Sequence, residues 1–244
     1  MRRTAVGQNF ATGRRGERQD RYSLRPFPQN ASAFIGLAGL ALVLVLGSAL
    51  GLAGAASAQT LSIEEAENFV RAAYFEGMPE EVATRIGPTG AARLVEMLAD
   101  PDERSSHGQI MLALGLCGSP EALAAIEIWM AEPRRGEIDR NTFRAWQALP
   151  FALGHLAAFD PRALQRLETM MNEDAPDWTF RQHRGARLRR LARDSAVTSL
   201  AETGLPEARR MLERAGGDAS DIQFERHLRE VRALHAERAR EVAR

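Results

Sequence analysis

Three prolines, Pro120, Pro161 and Pro206, stand 41 and 45 residues apart, and each divides the same kind of segment. Before each comes an apolar stretch rich in small residues; after it comes a stretch with one apolar helical stripe. The copies are "MLALGLCGSPEALAAIEIWM" (Met111–Met130), "FALGHLAAFDPRALQRLETM" (Phe151–Met170) and "SAVTSLAETGLPEARRMLER" (Ser195–Arg214). A period of that size in alternating helices points to an all-α solenoid of αα-hairpins. In a stacked hairpin the inner helix is enclosed by its partner and by both neighbouring repeats, so it is apolar nearly all round. Ala and Gly in it let helices approach closely. The second helix keeps an exposed face, marked by Glu121, Glu127 and Glu168. One hairpin cannot bury its own faces, so about three are needed for a stable stack.

The corners carry matching chemistry. Ser119-Pro120 and Asp160-Pro161 each read as a capping side chain followed by Pro at the first helical position, whereas Gly204-Leu205-Pro206 lacks the capping group. Upstream, Ser62-Ile-Glu-Glu65 is a capping box opening a helix whose Ala66, Phe69, Val70 and Ala73 share a face. Gly77 and Pro79 end it, a short helix passes through Val82 and Ile86, and Gly87-Pro88 starts a helix that Asp100-Pro101 closes. Downstream of Gly216-Gly217, a charged helix carries the stripe Phe224, Leu228, Val231, His235. It either caps the stack or pairs with a partner. The expected division is capping helices over 59–87, repeats over 88–216 and the charged helix over 217–244.

The stretch "ALGLCGSPEALAAIEIW" (113–129) resembles the core of HEAT-like repeats, in particular the short prokaryotic kind found in phycobilin lyases, with Ser119 where Asp is usual. "ALGHLAAFDPRALQRL" (152–167) is similar but has Ala-Phe where Gly is usual, and its Pro150 falls where inner helices of such repeats are often kinked. The third copy keeps the spacing and Pro-x-Ala. The resemblance implies an αα-hairpin solenoid; its members include adaptors, enzyme accessory factors and a few enzymes, so it does not settle an activity.

Residues 1–58 form a separate segment. Seven Arg stand against Glu17 and Asp20 in residues 1–30, and no charge occurs from Ser32 to Ile63. The apolar run ends in Ala56-Ser57-Ala58, a small-x-small site that places signal cleavage between Ala58 and Gln59. The run also approaches the ~20 residues that span a bilayer, so an uncleaved anchor is the alternative. Both keep the Arg-rich end in the cytoplasm and export the remainder. The protein is expected to be periplasmic or secreted after cleavage, or anchored in the inner membrane with its domain outside.

Catalytic signatures are missing from the sequence: it has no G-x-S-x-G, P-loop, G-x-G-x-x-G, C-x-x-C or H-E-x-x-H. Some HEAT-like enzymes hold iron through His-Glu pairs, but no His-Glu dipeptide occurs here. No metal or other cofactor is expected. His107 and His155 read as packed, hydrogen-bonded residues, and His235 continues the apolar stripe of the last helix. Cys117, the one cysteine, reads as a small buried hydrophobe.

Charge is polarised along the exported part. From Gln59 to Phe180 there are 10 Arg and 20 acidic residues; from Arg181 to Arg244 there are 15 Arg and 10 acidic residues. The densest basic run, "RQHRGARLRRLAR" (181–193), follows the aromatic residues Trp178 and Phe180. It reads either as a solvated helix face or as a docking surface formed by Trp178, Arg181, Arg184, Arg187 and Arg190. Trp178 itself fits inter-repeat packing as well as a surface platform. The fitting partners are a protein or an anionic membrane surface. Nucleic acid is disfavoured by export and by the acidity of the exported chain. The sequence thus favours an exported, non-catalytic binding or scaffolding protein. Its alternatives are an accessory lyase-like enzyme using the concave face, and an envelope factor that binds anionic lipid through the arginine cluster.

Overall fold

Reciprocal capping opens the first helix. The Ser62 hydroxyl accepts from the Glu65 N–H at 3.2 Å, and the Ser62 N–H donates to the Glu65 carboxylate at 2.8 Å. Nine helices follow this one in a computed structural model that describes residues 59–74, 77–216 and 221–243. In chain order these ten are α1 (Ile63–Arg71), α2 (Glu80–Ala83), α3 (Pro88–Ala99), α4 (His107–Cys117) and α5 (Ala122–Ala131). They continue with α6 (Arg140–Leu156), α7 (Arg162–Asn172), α8 (Gly185–Glu202), α9 (Pro206–Arg214) and α10 (Ile222–Val242). Strand structure in the described residues is limited to short bridges and one parallel pair, β1 (Gly136–Glu137) against β2 (Trp178–Thr179). The fold is all-α.

Helices α4, α6, α8 and α10 lie side by side in that order. Their register shows that they run parallel. Gly108 and Gly115 of α4 face Ala145 and Ala152 of α6, and Gly154 of α6 faces Ser199 of α8. Further on, Thr198 of α8 meets His227 of α10, and Gly204 faces Arg238 and Ala239. Small residues at the crossings explain the close approach: a Cβ on Gly115 would overlap the Ala152 carbonyl oxygen. The remaining long helices pack against this row, α3 and α5 on α4, α7 on α6 and α8, and α9 on α8 and α10. One continuous core runs from Ala66 to Val231 and includes the fully buried Leu94, Ile110, Leu114, Ile126, Leu153 and Leu167. Each such side chain contributes about 1.5–3 kcal/mol on leaving water.

The corners differ from the expected caps. Asp160 does cap, its Oδ1 accepting from the Arg162 N–H at 2.9 Å, with Pro161 at the N-cap position itself. Ser119 does not: its hydroxyl donates to the Glu121 carboxylate at 2.9 Å, and its backbone carbonyl takes the Ala122 N–H. Helix α5 starts only at Ala122, with Glu121 at its N-cap and no side-chain capping bond. The third corner, lacking a capping side chain, is the one with Pro at the first helical position. At the first corner Gly118 is left-handed (φ 65°), and the Phe159 ring of the second corner lies where its Cβ would stand.

Two boundaries also shift. Helix α1 ends at Arg71, so Ala73 is exposed outside it; Ala72 turns extended and the Tyr74 hydroxyl donates to the Phe69 carbonyl. Ile86 lies beyond α2, buried and bridged to Leu61. The stripe of α10 is buried at Phe224, Leu228, Val231 and His235. Pro150 lies buried inside α6.

Among the described residues no helix is long and apolar enough to cross a membrane. The basic segment, the apolar run and Ala58 lie outside the described residues, while Gln59 is exposed at their beginning.

Candidate functional site

The loops that enter α6 and α8 converge. After α5, residues 132–139 cross the end of the helix row and pair through β1 with β2, in the loop between α7 and α8. The Ile138 N–H donates to the Thr179 carbonyl at 2.9 Å. Beneath the pair, Phe143 of α6 stacks on Phe180 with ring centroids 4.2 Å apart and meets Trp178 edge to face. Trp146 and Leu188 complete this small second core. Phe180 and His183 close a tight turn between β2 and α8, exchanging backbone hydrogen bonds. Inside that turn Arg181 has φ 50°, a conformation that costs a non-glycine residue about 1–3 kcal/mol.

Trp178, expected among the binding residues, is a core residue: only 6% of its surface is exposed, because Phe143, Trp146 and Leu188 pack over it. Arg181, Arg184, Arg187 and Arg190 are all exposed around the start of α8. Arg140 and Arg144, from the first turns of α6, stand on the neighbouring helix at the same end of the row. Among the described residues, none of these six guanidinium groups pairs with an acidic side chain, whereas arginines elsewhere, such as Arg71, Arg93, Arg162 and Arg214, do. The first turn of α8 holds no acidic residue, and its N-cap, Arg184, supplies no capping hydrogen bond. The positive end of α8 therefore adds to the arginine charge, whereas the α6 end is capped by the Asp139 carboxylate.

A cleft of about 640 Å³ adjoins this edge, between the end of α3 and the α5–α6 loop, and its lining includes Arg104, Arg135, Glu137, Asp139 and Thr142. Its floor is a satisfied network. Trp129 Nε1–H donates to His107 Nδ1 at 3.1 Å, and His107 Nε2 lies 3.0 Å from the Asp100 carbonyl, which fixes the proton on Nε2. Burial, only partly offset by the Asp100 carbonyl, holds the His107 ring below its ordinary pKa. Arg134 lies over the Trp129 ring at 3.9 Å and donates to the Trp129, Met130 and Glu132 carbonyls, closing the end of α5. Its pKa is lowered by burial. Asp139 caps α6; burial raises its pKa, but hydrogen bonds from Thr142 and Asn141 outweigh that and hold the carboxyl low. Arg104, paired with Asp139 at 3.9 Å, and Arg135 also line the cleft.

The other singled-out residues have structural surroundings. Burial raises the Cys117 thiol pKa and its Sγ–H points to the Leu114 carbonyl, which disfavours a thiolate. His227 Nε2 lies 3.1 Å from both the Thr198 hydroxyl and the Asp194 carbonyl, and His235 Nε2 lies 2.9 Å from the Leu205 carbonyl. No group of three or more His, Cys, Asp or Glu side chains suited to a metal ion occurs among the described residues. Sequence reasoning missed the contribution of Arg140 and Arg144 and the cleft beside them. The one local signal was Glu132-Pro133-Arg134-Arg135, a helix stop followed by paired cations. Compared with known proteins, the chain matches no family model, no curated protein and no solved structure.

Proposed function

We propose that this chain is an exported, non-catalytic binding protein, a HEAT-like solenoid that docks an acidic protein on the arginine edge formed by the starts of α6 and α8. The observation that carries the reading is the set of six exposed guanidinium groups without acidic partners among the described residues, four of them crowded around one helix start at an electrostatic cost. Several arginines elsewhere, such as Arg71, Arg93, Arg162 and Arg214, make ion pairs that these six do not. The aromatic core of Phe143, Trp178 and Phe180 anchors the turn that carries Arg181, whose guanidinium lies 5.3 Å from the Phe180 ring centroid. The row of parallel helices, with their small-residue crossings, supports the HEAT-like reading. The basic, then charge-free, then small-x-small order of residues 1–58 supports export.

Photo-crosslinking in cells from positions 184 and 187, with position 165 on α7 as control, tests the docking surface. One discrete protein adduct at the first two positions, lost when Arg181, Arg187 and Arg190 are replaced by Glu, is the expected result. No adduct, or one indifferent to charge reversal, removes the edge as a protein-docking surface. Salt-sensitive co-sedimentation with phosphatidylglycerol vesicles in place of an adduct reassigns it to anionic lipid. The mass of the mature N-terminus reads the export step: a chain beginning at Gln59 is released, and an intact N-terminus is anchored.

A further inference from the structure

At the opposite end of the helix row, α6 and α8 enclose a pocket of about 180 Å³ lined by Phe151, His155, Ala158, Ser199, Glu202 and Leu205, among others. Its floor holds an anomaly. Ser199 is 1% exposed, and its hydroxyl has no hydrogen-bond partner among the described residues. Helices normally satisfy a buried serine through a backbone carbonyl, and an unsatisfied one costs about 1–3 kcal/mol. Ser199 lies where α8 crosses Gly154 of α6, so closely that a Cβ on Gly154 would stand 3.3 Å from the Ser199 Cβ, and it lines the pocket with its hydroxyl unpartnered. The neighbouring Thr203 hydroxyl is fully used, donating to the Leu200 carbonyl and accepting from the Leu205 N–H.

The remaining polar groups are mostly acceptors. Glu202 is exposed at the rim, yet enough of its carboxyl lies against protein for desolvation to raise its pKa, with Arg238 opposing and Glu80 adding to the rise. Burial holds the His155 ring below its ordinary pKa, with Glu80 acting the other way. Arg238, the nearby cation, is taken up by Glu241 at 2.8 Å. The carbonyl ends of α6 and α8 lie at this end of the row and add partial negative charge. Apolar walls come from Phe151, Ala158 and Leu205.

We propose that this pocket binds a primary ammonium group on a short apolar stem, with Glu202 as counter-ion and the Ser199 hydroxyl and His155 ring as hydrogen-bond acceptors. The volume equals about six waters' share of the liquid, which suits a stem of four or five carbons and excludes a drug-sized ligand. An anion finds a carboxylate and helix carbonyl ends here and is repelled. The chain contains no lysine, so a lysyl ammonium in the pocket belongs to another molecule, and a free alkylamine is the other source.

The test is a titration of the full protein with n-butylammonium chloride, followed through the backbone amide resonances of Gly154, Ser199 and Leu205. Saturable shifts at these positions, absent with n-butanol and sodium butyrate, are expected. Glu202→Gln weakens binding tenfold or more while the rest of the spectrum is retained, and Ser199→Ala weakens it severalfold without loss of stability. Charge reversal at Arg187 and Arg190 leaves it unchanged, which separates this site from the arginine edge. Absent or unsaturable shifts, equal binding of butyrate, or indifference to Glu202→Gln overturns the proposal. Putrescine and N-acetyl-lysine methylamide then identify the source by which of them binds more tightly.

Discussion

Gly115 and Gly108 lie on one helix and face one neighbour, but alanine at the two positions should have opposite effects. A Cβ on Gly115 overlaps the Ala152 carbonyl oxygen and lies 3.2 Å from both its carbonyl carbon and Cα. All three are backbone atoms of α6, so no side-chain rotation relieves the overlap. Restoring an ordinary carbon–oxygen separation requires α4 and α6 to part by about 1 Å. At the upper end of measured overpacking this costs about 3 kcal/mol, since a gap of that size forfeits a quarter to a half of each dispersion contact across the interface. Against it stands about 1 kcal/mol gained from alanine's helix propensity. The net loss is about 2 kcal/mol, equivalent to a melting temperature lower by roughly 4–8 °C for a folded unit of this size. On Gly108 a Cβ meets its nearest atoms at 3.6–3.7 Å, an ordinary contact. There the propensity gain stands alone, reduced near the helix start to about 0.5 kcal/mol. Thermal unfolding followed by circular dichroism at 222 nm compares the variants directly. A Gly115→Ala protein that melts at or above the wild type, or shifts of one sign for both variants, would falsify the parallel small-residue crossing of α4 and α6.

Three further outcomes follow from named contacts. Ser199→Ala removes a buried hydroxyl without a partner and should raise stability by about 1 kcal/mol, read as a higher urea midpoint at constant m-value. Arg184→Asp places a capping carboxylate at the start of α8 and should stabilise by about 1 kcal/mol while weakening the edge, so stability and crosslinking yield move in opposite directions. His107 accepts from Trp129 through Nδ1, and burial holds its folded pKa below the ordinary value of 6.5. The unfolded chain binds that proton first; the contribution of His107 to stability is present above pH 6.5 and is lost as pH falls towards the folded pKa. Trp129→Phe frees Nδ1, and the ring pKa, followed by histidine resonances against pH, should move up towards 6.5. A ring that titrates normally in the wild type contradicts the network.

The helices themselves were legible because their signals are local. Ser62 with Glu65, Gly87-Pro88, the stripe from Phe224 to His235 and the three proline corners each act within a few residues, and each marks a helix or its end. The sequence also shows the uneven charge and the run Arg181–Arg193 that supplies four of the six edge arginines. What it could not show depends on distance in the chain. Trp178 and Arg181 are three residues apart, yet one is enclosed by Phe143, Trp146 and Leu188 while the other stands in solvent. Ser119 and Asp160 look like equivalent caps, but the serine hydroxyl donates to Glu121 while the Asp160 carboxylate accepts from the Arg162 N–H. Arg140 and Arg144 join the edge only because α6 and α8 run parallel, and that Ser199 is buried against Gly154 with its hydroxyl unpartnered appears only in the packed structure. Helix propensity and capping are written in neighbouring residues. Burial, pairing and the free acceptors of a pocket are properties of which helix faces which, and the tertiary structure alone decides that.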